Sequence, residues 1–457
     1  MDILFVIAYL GGILFYGIAQ GSKIRNVRDF SVSTKKYGLF TVFASLSASF
    51  IGGGFCQGNA TEVFNRGIGN IIALFGFSAG QILIGKYIIA NAEIPENAAS
   101  PGMVMRACYG RAGQITSGIC SCLLNAGLLG AQVAAIGSMF NVLLHVPYSV
   151  GVLIGFAVIL AYSTVGGIKA VIAAEIVEFL LLAVGLPLLL AFSVKYAGGY
   201  RGIAESIPRA HFDPFNGTSP VELLSLFLTM MIGEALTPAF VQRILIGRDR
   251  PTVARATVLS GVLSIPVFII TGCVGLCAYA VNPGLDPTLA MPMMVMRALP
   301  AGIKGLVISA MLAVVMSSAD GCLSSASIGI VNDVIAPLSR KNLKGVTLLR
   351  IARVSNVVVG LGAMALALGT KNVFHILVLS YSAWSPMMLV PIASAILGIR
   401  AGKKSFAACA AGGALTSLVW TYCIGNPLGI GGTTAGFFAG LILFAAFSER
   451  KKHMFFK

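Results

Sequence analysis

The run Val314–Ser327 reads VVMSSADGCLSSAS, and it concentrates the chemistry of this chain. Val314, Ser317, Ser318, Gly321, Ser324 and Ser325 recur at helical spacing and so share one face. Asp320 lies one turn beyond Ser317, on the flank of that face. An apolar lead-in from Leu306 to Met316 places the run inside a hydrophobic segment. There a polar face is costly unless it meets protein, water or an ion. Hydroxyl oxygens beside a carboxylate suit a hard cation such as sodium. Small residues that let helices approach closely explain the same positions, and both readings stand at this point.

The elements that must hold such a face are membrane helices. The 457 residues are 57% hydrophobic and 11% charged, with mean hydropathy +0.90. A soluble domain carries about 25% charge, so the composition points to an all-α, polytopic membrane protein. A transmembrane β-barrel would show short alternating segments instead. The net charge of +16 sits in short loops between apolar runs. That placement fits a membrane surface with anionic lipid headgroups and argues against a nucleic-acid partner. Nine Cys fall mostly within apolar runs and read as buried thiols. The four His do not cluster, and no metal-ligand spacing appears.

Apolar runs give about thirteen spans, near 2–21, 38–61, 67–91, 113–145, 147–164, 168–196, 219–243, 254–282, 300–335, 348–370, 373–397, 404–424 and 429–447. Lys and Arg crowd alternate loops: 23–36, 106–111, 169, 243–255, 340–344, 400–404 and the tail from Arg450. The intervening loops are nearly bare. By the positive-inside rule the N-terminus is outside and the C-terminus cytoplasmic, in the plasma (cell inner) membrane. The stretch 93–112 is too polar to span and reads as an inner interfacial piece, and 197–218 as the longest outer loop.

Two spans are interrupted, the second at Gly52–Gly54 and the seventh from Gly233 to Pro238. Broken helices at matching places in two halves point to a transporter built from inverted repeats, with its site at mid-membrane. Gly and Pro are also tolerated in membrane helices without any such role. The expected organisation is a first helix and loop (1–37), a first repeat (38–218), a second repeat (219–397) and two peripheral helices with a basic tail (398–457).

Several motifs, together covering roughly residues 25–400, resemble the sodium/solute symporter family. They are Asp29–Phe30, SASFIGGGFCQGNATEVFNRGIG (Ser47–Gly69), AYSTVGGIKAVIAAEIVE (Ala161–Glu178), FVQR (Phe240–Arg243) and AVVMSSADGCLSSAS (Ala313–Ser327). The GGGF…GNATEVF and VMSSAD runs are most similar to the choline branch. The resemblance implies a broken-helix core of five plus five helices. It also implies a sodium site of backbone and hydroxyl oxygens at Ala48, Ile51, Val314, Ser317 and Ser318. Five uncharged oxygens make a weak, releasable site, as a transport cycle needs. Glu175 and Asp320 match a second cation site of some members. Two nearby carboxylates would instead admit a proton or a neutral hydrogen bond. Glu178 is expected at the inner interface, and Arg243 as an interface anchor.

The solute site is expected between the two breaks, at Phe50, Gln57, Asn59, Gln132, Glu234, Thr237, Tyr381 and Trp384. Where the choline branch carries cage tryptophans, this chain aligns Phe50, Leu128 and Thr237, so most of an aromatic cage for a quaternary ammonium is missing. Glu234 suits a substrate amine. The expected function is sodium-coupled symport of a small amine-containing or zwitterionic solute, with membrane lipids as surroundings and no obligate protein partner. A proton-coupled symporter, a passive channel and a transporter-like sensor are the rivals. No nucleophile–base pair or phosphate loop suggests an enzyme.

Overall fold

The computed structural model describes residues 2–21, 30, 37–95, 97–339, 345–369, 373–449 and 451–452. Asp29, all five basic residues of 23–36, Arg450 and Lys457 of the tail, 340–344 and Lys371 lie outside them. Apart from a two-residue strand pair at Ile399–Arg400 and Lys451–Lys452, the described architecture is helical. The elements that matter are α1 (Asp2–Gly21), α2 (Leu39–Phe50), α3 (Gly53–Arg66), α4 (Gly69–Leu83), α5 (Pro101–Leu144) and α6 (Tyr148–Tyr196). They continue with α7 (Gly199–Ser206), α8 (Pro220–Gly233), α9 (Pro238–Ile246), α10 (Arg250–Val281), α11 (Ala290–Ala298) and α12 (Ile303–Gly329). The chain ends with α13 (Gly345–Gly369), α14 (Val373–Ile396), α15 (Lys403–Leu418) and α16 (Gly432–Ala446).

Among the described residues, eight helices are long and apolar enough to cross a membrane, or ten if each of two bent pairs is one span. Each expected apolar run overlaps one of the helices. α6 covers two of them and bends at Gly167, whose φ of 55° suits glycine. The expected interfacial stretch becomes helical at Pro101 because Ser100 caps it, accepting the Met103 amide at 3.3 Å. α10 starts at a similar cap: Asp249 accepts the Thr252 amide at 2.8 Å. Bonds from the Thr252 backbone and side chain hold that exposed carboxyl down to about 2.

α12 is the centre. Of its most apolar window, 94% is buried, against 22% for α1. A helix with small and apolar residues on every side has no solvated face to present, and α12 packs on both α5 and α6. Asp2, at the start of peripheral α1, accepts the Gly302 and Gly305 amides at 2.7 and 3.1 Å. It thereby satisfies free donors at the N-terminus of α12.

The broken pairs are α2/α3, bent by 50°, and α8/α9, bent by 48°. α4 and α8 meet backbone to backbone. A Cβ on Gly76 would stand 1.9 Å from the Phe227 carbonyl oxygen, and one on Gly80 2.6 Å from that of Met231. Gly76→Ala is therefore expected to destabilise the protein by about 1–3 kcal/mol through overpacking, read as a lowered unfolding temperature in detergent. Gly58→Ala, with nothing near its Cβ position, is the control that shows no such drop.

Candidate functional site

The first break brings α2 against α12. The helix stops at Phe50, and Ile51 and Gly52 are unwound before α3 begins. α12 comes so close that a Cβ on Gly52 would lie 2.3 Å from Ser318 Oγ, and one on Gly53 2.3 Å from Val315 Cγ2. A Cβ at either position would force these side chains to shift. Ser317 Oγ lies 2.7 Å from the Ala48 carbonyl oxygen and 2.9 Å from that of Val314. Ser318 Oγ donates to the Ser49 carbonyl at 2.8 Å. Three of the expected residues, Ala48, Val314 and Ser317, thus converge directly, with Ser318 beside them. Ile51 is buried at the break, but its carbonyl faces Cys56 Sγ at 3.9 Å. Ser49 was not anticipated; the serine run Ser45–Ser47–Ser49 before the glycines was the available signal. The cluster is made of neutral oxygens, the donor set for a hard, weakly held cation.

Glu175 does not stand alone with Asp320. It accepts the hydroxyls of Ser45 and Ser49 and forms a fully buried ion pair with Arg243. Arg243 also reaches Ser49 Oγ at 3.2 Å and the Ala239 carbonyl at 3.4 Å. The expected interface anchor is therefore corrected: Arg243 is 0% exposed. Burying a guanidinium is tolerable only with a carboxylate partner, and the position of Glu175 on α6 supplies one. Glu178 is corrected likewise. It is 1% exposed rather than interfacial, because it falls three residues after Glu175 on the same buried face and accepts the Tyr9 hydroxyl at 3.0 Å. Asp320 accepts the Tyr162 hydroxyl at 2.7 Å. Asp320 Oδ1 and Glu178 Oε2 have no hydrogen-bond partner among the described residues. No group of three His, Cys, Asp or Glu side chains there is arranged to hold a metal. Arg243→Met alone is expected to cost about 3–5 kcal/mol by leaving Glu175 unpaired, measured by thermal unfolding. The Glu175→Gln/Arg243→Met pair is expected to recover most of it.

Between the breaks lies a cavity of about 340 Å³. Phe50, Asn59, Gln132, Glu234, Thr237 and Tyr381 line it, as does Leu128. Two expected residues do not. Gln57 points away, its amide 3.5 Å from the Thr288 carbonyl. Trp384 is 1% exposed in the helical core, since α14 turns Tyr381 rather than Trp384 toward the break. Asn59 lines the cavity with its polar atoms already used. It donates to the Phe268 carbonyl and Thr271 Oγ1, both at 2.8 Å, and accepts from Asn70 at 2.9 Å. Among the described residues, Gln132 Oε1 and Thr237 Oγ1 are buried without hydrogen-bond partners, and Glu234 has the Tyr381 hydroxyl as its partner. Glu234 stands at the second break, where Leu236 is held at φ 49°. A branched residue there stores strain of the kind found at functional sites.

The cavity runs from the breaks to a solvent-exposed mouth lined by Glu62, Arg66 and Glu222. Arg66, 55% exposed, lies 3.7 Å from Glu62 and 3.9 Å from Glu222. Exposed pairs of this kind contribute about 0–1 kcal/mol, so they do not lock the mouth. Above them the loop after α7 folds back onto α3. His211 meets the Phe64 carbonyl at 3.2 Å, and Asn216 donates to the Arg66 carbonyl at 3.0 Å.

Comparison with known proteins places this geometry. The model of the sodium:solute symporter family matches residues 30–419. The human high affinity choline transporter 1 is 24% identical over 79% of this chain, a match that spans 65% of the human protein. The high-affinity proline transporter of Bacillus subtilis is 24% identical over 81% of each chain. A sodium-coupled sialic acid symporter, solved in a substrate-bound outward-open state, superposes with a TM-score of 0.84 at 18% identity, covering 99% of both chains. A nucleobase–cation symport family transporter in a closed conformation gives 0.60 at 12%, covering 92% of this chain and 93% of that one. The fold is that of the broken-helix, inverted-repeat transporters.

Proposed function

The chain belongs to the sodium:solute symporter family, and from that premise we propose that it imports a small amine-containing or zwitterionic solute together with sodium by alternating access. The observation that carries this reading is the adjacency of two sites. Oxygens of Ala48, Val314, Ser317 and Ser318 converge at the first break, and Ser318 also lines the cavity that reaches Glu234 at the second. A cation held there fixes the floor of the solute site, so each ligand favours the state the other binds. Ile51 joins the ion when the break adjusts. The inward sodium gradient makes the cycle directional.

Glu234 supplies a carboxylate for an ammonium group, with Phe50 and Tyr381 as aromatic walls. Choline and proline, named for two relatives, both carry ammonium nitrogen. The cage positions Phe50, Leu128 and Thr237 line the cavity without a tryptophan, which favours a primary or secondary amine over a quaternary one. The mouth at Arg66 and Glu222 faces outside under the loop-charge orientation, and the repeats 38–218 and 219–397 supply one break each. Proton coupling is a second reading, favoured by Tyr162–Asp320 and Tyr9–Glu178 as buried carboxyl pairs beside the ion site.

A thermal-shift screen of purified protein against amines, amino acids and sugars, in sodium and in potassium, tests the proposal. A solute at a hundred times its Kd adds about 2.7 kcal/mol to apparent stability, and the expected hit is an amine whose shift requires sodium. Amine shifts of equal size in potassium would reject the sodium reading.

A further inference from the structure

We infer that Glu175 and Arg243 form a latch that closes the face opposite the cavity mouth, and that the ion site sets this latch through Ser49; the second half of the inference rests on the sodium reading. Three elements meet at the pair: α2 through Ser45 and Ser49, α6 through Glu175, and α9 through Arg243. α2 and α9 are the halves of the two broken helices that lie away from the mouth, while α3 and α8 carry the mouth residues Arg66 and Glu222. The pair therefore binds together both halves whose separation would open the far side.

The guanidinium also stands under the cavity floor. Gly321 lines the cavity, and a Cβ on it would lie 2.9 Å from an Arg243 amino nitrogen. Glycine at 321 gives that head group its room, one turn along α12 from Ser317 and Ser318. A solute leaving the cavity by the far side must pass Arg243. A buried ion pair adds little net stability over apolar packing, so stability alone is a poor reason for one here.

Ser49 joins the latch to the ion site. Its hydroxyl bonds Glu175 and Arg243, and its carbonyl accepts Ser318 Oγ at 2.8 Å. Ala48, its neighbour, meets Ser317. A cation that fixes these carbonyls fixes the Ser49 hydroxyl one peptide away, and with it the geometry Glu175 needs. Losing the cation frees the end of α2 and slackens the latch. Glu175 and Arg243 are thus positioning residues for coupling, and touch neither ligand.

Cys322 lines the cavity and reports access. The full chain, reconstituted in vesicles of known orientation with exposed Cys423 changed to Ser, is labelled by an impermeant maleimide from each side. In the wild type, sodium in place of potassium suppresses labelling from the far side. In Glu175→Gln/Arg243→Gln, far-side labelling rises about tenfold, as for a minor open state made dominant, and sodium no longer suppresses it. Ser45→Ala leaves both charges paired and guards against misfolding of the double variant. It is expected to need at least about threefold more sodium for the same suppression, a weakened version of the same population shift. Folded variants that keep wild-type suppression overturn the latch. Sodium-independent labelling of the wild type, with the double variant still more open, instead overturns the sodium reading and leaves the latch standing.

Discussion

Ser317→Ala together with Ser318→Ala abolishes the sodium stimulation of solute uptake and binding at sodium concentrations that saturate the wild type. Ser317 Oγ sits within 3 Å of two carbonyl oxygens, those of Ala48 and Val314, so its removal takes one oxygen from the middle of the cluster. Ser318 supplies the neighbouring one, on the Ser49 carbonyl. A polar contact to a charge contributes about 1.5–3 kcal/mol, so losing two raises the sodium requirement by roughly a hundredfold or more. Sodium titration of solute binding measures it. The specificity control is Ser324→Ala. Its hydroxyl lies further along the same face with no partner among the described residues, and its loss leaves the sodium midpoint in place. Sodium dependence that survives the double substitution removes this cluster from the ion's path.

Glu234→Gln is the second large effect. The substitution keeps shape and the Tyr381 hydroxyl as a neighbour, but deletes the carboxylate that, among the described residues, lines the inner part of the cavity. An ammonium solute loses a charge-assisted bond in a water-poor site, about 1.5–3 kcal/mol or some tenfold to hundredfold in Kd. Neutral analogues of the same shape are unaffected, and the sodium midpoint measured without solute does not move. Equal affinity of the variant for amine and neutral analogue, when the wild type prefers the amine, is the expected pattern. An amine Kd unchanged in Glu234→Gln excludes this carboxylate from recognition. Tyr381→Phe has a smaller effect, since it removes only the neighbour that orients Glu234.

Much of this architecture was legible because membrane folding obeys coarse rules. Long apolar runs must be helices, and glycine-rich interruptions inside them must break near something that uses the freed backbone. That Ser317 and Ser318 lie on one face was legible because positions i, i+3 and i+4 from Val314 share it; their sodium role came only from the family resemblance, and the structure brings them against the Ala48 and Ser49 carbonyls. The partners of the buried charges were not legible. Arg243 lies 68 residues from Glu175, and nothing local in FVQR says whether its side chain turns to lipid headgroups or inward. Glu178 was misplaced although its spacing from Glu175 already put both on one face. Asn59 looked available because its three partners lie on α4 and α10, distant in sequence. Trp384 and Tyr381 sit one turn apart, and α14 alone decides which of them meets the break. Side-chain choices of this kind belong to packing between elements, which periodicity within one element does not encode.

The contact of α4 with α8 at Gly76 and Gly80 has a kinetic meaning. Side chains at an interface act as bearings, sliding between rotamers as two helices shift. Here backbone lies on backbone, with no bearing to slide on. α4 and the mouth-side half of the second broken helix are therefore expected to move as one lever. If the proposed solute seats against Glu234 at the tip of α8, it pulls on a rigid arm rather than a loop.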